Sequence, residues 1–530
     1  MALRFAWAFL WVSSFPSARA EVRSFALPDF PIVYVIYTPG GVPQARAVVA
    51  PSEPCPKLKA LAGAQGLLKE SGNVSLRAVG SQHMPHRFPV KVCQVQLPTN
   101  VPAGTLVFGR PLPRISAQPI KTLLLGDTGL RVKAKNDGTC LHPGPKKLYG
   151  IKQCQASAII PFNASLVSGS FQNLSEWHLK AQMDAAASDK PDLVVHVGDY
   201  FYRQGPCPQN KPCTAINNAS FPHLPGAWGD NWNGWYADFF APSLSLLSKA
   251  PWIVLRGNHE RCDRGGGGYF LFLDPRNYPN TVAGGEFCVD YTDPYTVPFA
   301  KEQFLVMDTA MVDDVDVDDV CPTGALEQFQ IFPSNRLEDP DQDMTREEIL
   351  EQVERYRQQF KEMAEMKQLG LSNFLLSHHP MFGFKCNQGA YESAEWTLQQ
   401  ALGRNTLEGI SATIHGHFHF FQLTQLAGLP PHFIVGNGGT MLRRYDSLAQ
   451  GATGMDMVLP WTTVKVRDAF TKSVFGYSSL LGRDNYIFTA FQRNQKGQEQ
   501  SMWNTSFTRA QMGRSLREAA ASQAAPPIFV

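Results

Sequence analysis

Five short stretches of this chain end a run of apolar residues in side chains that hold metals or carry protons. In chain order they are Gly126-Asp127-Thr128-Gly129, Gly198-Asp199-Tyr200-Phe201-Tyr202, Gly257-Asn258-His259-Glu260, Ser377-His378-His379-Pro380 and Gly416-His417-Phe418-His419. Among them Asp127, Asp199, Tyr202, Asn258, His378, His417 and His419 offer two carboxylates, a phenol, an amide oxygen and three imidazoles. That is a full ligand set for two neighbouring metal ions. A carboxylate shared between them, here Asp199, lets two cations sit about 3.5–4 Å apart despite their repulsion. Hard oxygen donors mixed with imidazoles suit Fe, Mn or Zn better than Ca or Mg. His415 alternates with His417 and His419, so a strand would turn all three to one face. It lies one step deeper, and a satisfied buried histidine is its better reading.

The runs before these turns read as strands: "KTLLLGDTG", "DLVVHVGDYFY", "PWIVLRGNHE", "NFLLSHHP", "ATIHGHFH" and a sixth, "HFIVGNGGT". Helical patterns lie between them. The clearest begins at Thr345, where "TREE" makes a capping box and Ile349, Val353, Tyr356, Phe360 and Met363 follow on one face. Strands alternating with helices predict an α/β domain with buried sheets. In such domains ligands gather beyond the carboxyl ends of the strands, where all of these turns would lie. That domain is expected over 120–512, closed by "SVFGYSSLL" and "YIFTAFQR", with 513–530 a fraying tail. Residues 21–119 are rich in proline and β-formers. "IVYVIYT", "ARAVVA", "VKVCQVQL" and "GTLVFG" predict a small β-sandwich-like domain ahead of it.

With these blocks in this order, the chain resembles the calcineurin-like metallophosphoesterases and, within them, the purple acid phosphatase-like branch. That family carries GDxG, GDxxY, GNH[DE], VxxH and GHxH. Here they read "GDTG" (126–129), "GDYFY" (198–202), "GNHE" (257–260), "LLSH" (375–378) and "GHFH" (416–419). The resemblance implies a four-layer αββα sandwich and the two-domain arrangement of the larger members. It implies one metal on Asp127, Asp199, Tyr202 and His419, and a second on Asp199, Asn258, His378 and His417. Fe(III) suits the phenolate-bearing position, and Zn, Mn or Fe the other. A hydroxide held between the two would attack phosphorus in line, with His259 protonating the leaving group or steadying the charged phosphoryl. Tyr202 as a packed aromatic and His259 as a loop-ordering residue are the alternatives. The His-x-Pro spacing selects His378; His379 would line the pocket as a substrate contact or simply pack. Arg256 would bind a phosphate oxygen or form a structural ion pair. The family often places further histidines after His-x-Pro, and "MFGFKCNQGAYES" has none, so acid chemistry on the substrate side would fall to His259 alone.

The whole chain, 530 residues with 44% hydrophobic and 18% charged, has an ordinary globular composition. Its formal charge of +2 and lack of a long basic run argue against nucleic acid as a partner. Arg4, an apolar stretch over 5–12 and Ala18-Arg19-Ala20 read as a signal peptide over 1–20. No later run is long enough to span a bilayer, so a secreted or periplasmic chain is expected. Ten cysteines without any CxxC fit disulfides better than structural zinc. Neighbour pairing gives Cys55–Cys93, Cys140–Cys154, Cys207–Cys213, Cys262–Cys288 and Cys321–Cys386. Sequons at Asn73, Asn163, Asn173, Asn218 and Asn504 matter only in a eukaryotic secretory route. "DDVDVDDV" (313–320) reads as a solvated acidic loop, since it lacks the glycine and glutamate of a calcium loop. "DRGGGGYF" (263–270) reads as a mobile rim, and the aromatics around Trp232 and Trp235 as core. Together these features predict an exported binuclear phosphoesterase that cleaves phosphomonoesters, with phosphodiesters of nucleotides or lipid head groups as the runner-up. A binding protein with a vestigial metal site is the rival from another class.

Overall fold

The computed structural model describes residues 30–56, 74–77, 87–99, 101, 105–134, 169–172, 176–203, 229–276, 288–312, 330–333, 345–387, 390–403, 405–443, 452–482, 485–493 and 499–508. Two large sheets, of ten and eleven strands, form its body. At the centre of the first, Lys121–Leu125, Leu193–His196 and Trp252–Val254 run parallel. In the second, starting one strand in from an edge, Glu302–Val306, Ser372–Leu376, Ile410–His415 and His432–Val435 do the same. Strands such as Leu193–His196 and Ile410–His415 are buried along their whole length, as central parallel strands covered on both faces are.

Three cores define the layers. Leu124, Val195 and Ile253 of the first sheet meet Phe374, Ile414 and Phe433 of the second in a core between the sheets. The outer face of the first sheet packs against Leu179–Ser188, the helical stretch 232–247 and Gly266–Phe272. The outer face of the second packs against Arg346–Met366 and Trp396–Ala401. This is the four-layer αββα sandwich. Arg346–Met366 starts where its capping box predicts: the Glu348 N–H donates to Thr345 Oγ1 (3.2 Å) and the Thr345 N–H to Glu348 Oε2 (2.8 Å). Its five predicted core residues are all buried.

The N-terminal strands, expected as a domain of their own, join the first sheet. Ile32–Thr38 lies parallel to Trp252–Val254, with Ile36 opposite Trp252. Val42–Val49, Lys91–Gln96 and Ser75–Leu76 then continue to the sheet edge. The segment keeps a small core on one face, where Val35, Ala45, Ala47 and Val95 meet Val107, Phe108 and Leu112. Periodicity identified the strands, but it carries no information about which strand an edge will pair with. The closing strands Gly476–Gly482 and Asn485–Arg493 form as expected at the opposite side.

The glycine run is the other departure. Residues 266–272 form a buried helix rather than a mobile rim. A Cβ on Gly268 would lie 1.9 Å from Trp235 Nε1, so the missing side chain is what lets this helix close on the indole. Trp232 and Trp235 are buried there, as expected. Cys55–Cys93 and Cys262–Cys288 are bonded. The other three cysteine pairs, the signal peptide, the tail, the acidic loop and the sequons Asn73, Asn163, Asn173 and Asn218 lie wholly or partly outside the described residues. Among the described residues, no helix is long and apolar enough to cross a membrane.

Candidate metal centre

Each of the five motif turns follows the carboxyl end of a central parallel strand, so the two sheets deliver them to one place. Their backbones are unusual. Asp127 (φ 56°), Asp199 (φ 60°) and His417 (φ 70°) all hold the left-handed conformation, which costs a non-glycine residue about 1–3 kcal/mol and persists only where surroundings enforce it. Here the turns enforce one another. The Asp127 N–H donates to Gly198 O (3.1 Å), the Thr128 N–H to Asp199 O (2.9 Å) and the Gly416 N–H to His378 O (3.0 Å). The His417 N–H donates to Asp127 Oδ2 (2.9 Å) and the His259 N–H to Asp199 Oδ1 (2.9 Å).

The side chains meet in two adjoining groups that share Asp199. The Tyr202 hydroxyl lies 2.6 Å from Asp199 Oδ2, 3.0 Å from Asp127 Oδ1 and 3.0 Å from His419 Nε2. On the other side, His378 Nε2 lies 3.3 Å from Asp199 Oδ2 and 3.1 Å from Asn258 Oδ1. The outer nitrogens are fixed by carbonyls, which can only accept: His378 Nδ1 donates to Val197 O (2.8 Å) and His419 Nδ1 to Met441 O (2.9 Å). Each Nε2 thus faces the cluster, where a cation could take the place of the proton that His378 Nε2 directs at the Asp199 and Asn258 oxygens. Ligand atoms of Asp127, Asp199 and His378 all lie within 4.8 Å of one another. His417 stands at the margin, its ring 4.1 Å from that of His379 and 5.3 Å from that of His378.

The electrostatics of this group are severe. Burial, helped by the neighbouring Asp199 charge, raises the Asp127 carboxyl well above its usual range. Burial also opposes ionisation of Asp199, but His378, His259 and the Tyr202 hydroxyl outweigh it and hold Asp199 well below. Against burial, Asp199 and Asp127 push His378 up to about 10. Burial and the same two carboxylates drive the Tyr202 phenol well above its ordinary value. So many acidic oxygens, buried and at hydrogen-bond distance, are costly unless positive charge neutralises them. The donor set fits two metal cations.

Other expected site residues divide. The His259 ring lies on the Tyr202 ring, centroids 3.8 Å apart, beside the cluster. His379 is buried, takes Thr309 Oγ1 as acceptor for its N–H (3.0 Å) and packs against His417. Arg256 forms the structural ion pair that stood beside a phosphate contact as its other reading. Its guanidinium is buried against Asp308 (2.6 Å) and donates to Val289 O (2.6 Å) and Asp290 O, so its charge is already matched. His415 is the satisfied buried histidine expected, bonded to Ser377 Oγ (2.8 Å) and Thr413 Oγ1 (2.7 Å) and lowered by burial to about 3.

Two carboxylates that hold the site went unassigned in the sequence. Glu260 accepts the N–H groups of Asp199 (2.8 Å), Tyr200 (2.8 Å), Phe201 (3.1 Å) and Gly257 (3.0 Å), tying the GDYFY turn to the GNHE turn. The last position of GNHE was its signal. Asp238 accepts the Tyr202 N–H (2.9 Å) and pairs with Arg203. It lies in an aromatic helical stretch with no motif to mark it. Gly257 completes the junction, since a Cβ there would lie 2.1 Å from Asp199 Oδ1.

Sheets, turns and cluster define a metal-dependent phosphoesterase, and the chain belongs to the calcineurin-like phosphoesterase family, whose model matches residues 120–421. A purple acid phosphatase isolated from yellow lupin (Lupinus luteus) seeds is similar to it with a TM-score of 0.45 and 12% identity, over 90% of this chain and 74% of that one. The structure of PhoD is similar with a TM-score of 0.44 and 12% identity, over 94% of this chain and 99% of that one. None of the curated proteins matches the chain.

Proposed function

We propose that this chain is an exported binuclear phosphomonoesterase of the acid-phosphatase type. The observation that carries the reading is the position of Asp199 between two ligand groups: Tyr202 reaches it at 2.6 Å from one side and His378 at 3.3 Å from the other. On this reading Asp127, Asp199, Tyr202 and His419 hold one cation, with Fe favoured by the phenol. Asp199, Asn258, His378 and His417 hold the second, which is Zn, Mn or Fe. When bound, such cations make water a nucleophile near neutral pH and neutralise the phosphoryl oxygens.

The chain's own residues supply position and protons. Glu260 and the mutual bonds of the turns hold Asp199 in its left-handed conformation, which fixes the separation of the two ligand groups. His259, its ring tilted against Tyr202 and its backbone tied to Asp199, would give a proton to the leaving-group oxygen. His379 lines the same wall beside His417. Arg256, paired with Asp308, is read as structural. Two formed disulfides support export to an oxidising compartment.

Release of p-nitrophenol from p-nitrophenyl phosphate and from bis(p-nitrophenyl) phosphate tests the substrate class, because both share that leaving group. Faster turnover of the monoester is expected. A diester preference overturns the monoesterase reading and installs the phosphodiesterase in its place.

A further inference from the structure

Glu395 is a buried carboxylate that the motifs do not mention. It is 1% exposed, and its Oε2 is buried with no hydrogen-bond partner. It stands just before the helix Trp396–Ala401 yet caps none of that helix's N–H groups with its side chain. Its main chain is firmly placed: its carbonyl accepts the Gln399 N–H (3.1 Å), and the Gln399 side chain bonds Ala394 O (3.0 Å) and Met381 O (2.9 Å). That last bond ties the junction to the turn that carries His378 and His379. So anchored, Glu395 Oε1 lies 4.0 Å from His417 Nε2.

The neighbouring histidines show what such a contact does. His378 and His419 each donate the outer ring nitrogen to a main-chain carbonyl. For His417 the Glu395 carboxylate stands on the Nε2 side, and an imidazole held there through Nε2 would offer Nδ1 to a cation. At 4.0 Å the pair stands just beyond hydrogen-bond distance. An outer carboxylate of this kind fixes the tautomer and orientation of a metal-binding imidazole.

We propose that Glu395 is a positioning residue for His417, accepting its Nε2–H and so setting the affinity of the second cation alone. This rests on the metal-centre reading above. The test is calorimetric titration of Zn²⁺ into metal-free full-length protein, alongside thermal unfolding of the metal-free form. The wild type should bind two cations per chain. Glu395→Leu should weaken the second by about 10–100-fold and leave the first unchanged, without lowering the metal-free melting temperature. Glu395→Gln, which keeps an acceptor, should recover most of that affinity. In a His417→Ala background Glu395→Leu should change nothing further. Should Glu395→Leu not fold, Glu395→Asp, which withdraws the carboxylate by one methylene, should weaken the second position alone. Two cations bound by Glu395→Leu with wild-type affinity, or equal weakening of both, overturns the assignment. A wild type that binds no cation overturns the metal centre and this assignment with it.

Discussion

Asp199 accepts from the Tyr202 hydroxyl and the His259 N–H while facing the His378 ring, so one side chain couples both ligand groups to the proposed acid. Two predictions belong at this scale. Burial and two carboxylates hold the Tyr202 phenol protonated, so only a strongly charged cation beside it would ionise it. Iron-loaded protein should therefore show a visible tyrosinate–iron(III) absorption, and Tyr202→Phe should abolish it; a band that survives assigns the colour elsewhere. His259→Ala should lower kcat by about 10²–10⁴ with bound cations unchanged. Loss of metal in that variant would make His259 a loop-ordering residue instead. The ligand-type residues were legible because each sits at a fixed offset inside a short motif. Glu260, Asp238 and Glu395 were not assigned, because accepting from a distant main-chain N–H or ring is a property of the fold and leaves no local spacing.

The elements carry the turns, and buried ion pairs brace the elements. Arg256, one residue before the GNHE turn, is held by Asp308, which follows the Glu302–Val306 strand of the other sheet. Asp308→Asn leaves that buried guanidinium without its counter-charge and should cost about 3–5 kcal/mol in a urea titration. The pH dependence has a defined sign. Burial opposes ionisation of Asp308, but Arg256 outweighs it and holds the folded carboxyl below its ordinary value. The stabilisation is therefore complete above the unfolded pKa, about 3.9, and disappears as pH falls through the lower folded value. Wild type should lose this increment on acidification, and Asp308→Asn should not; parallel profiles would show that the pair contributes nothing. At this scale the sequence was a good guide to type and a poor one to partner. The capping box at Thr345 and the strand runs before each turn formed as expected. The glycines at 265–268 were misread because composition does not distinguish a glycine chosen for freedom from one chosen for closeness.

Across the whole molecule, the N-terminal segment touches the site's support directly. Arg46 donates to Phe272 O and Asp274 O, both at 2.7 Å, and Arg77 to Phe270 O (2.8 Å) and Asp274 O (2.9 Å). Both arginines thus bind the carboxyl end of the helix Gly266–Phe272, which follows the GNHE turn. A chain starting at residue 120 loses these donors and bares the edge of Trp252–Val254. It should be insoluble or unable to bind metal; a soluble, active 120–512 fragment would support the two-domain reading. The layered α/β body was legible from alternating strands and helices. The continuity of the first sheet into residues 32–96 was not, since the Ile36–Trp252 pairing joins segments more than two hundred residues apart.

The measurement that bears most directly on a two-cation centre is phosphate release from p-nitrophenyl phosphate by purified full-length protein, followed together with its bound metal as a chelator is titrated in. Two cations per chain are predicted, with turnover falling as they leave and returning when they are restored. Turnover indifferent to the chelator, or a folded chain that holds no cation, would contradict it.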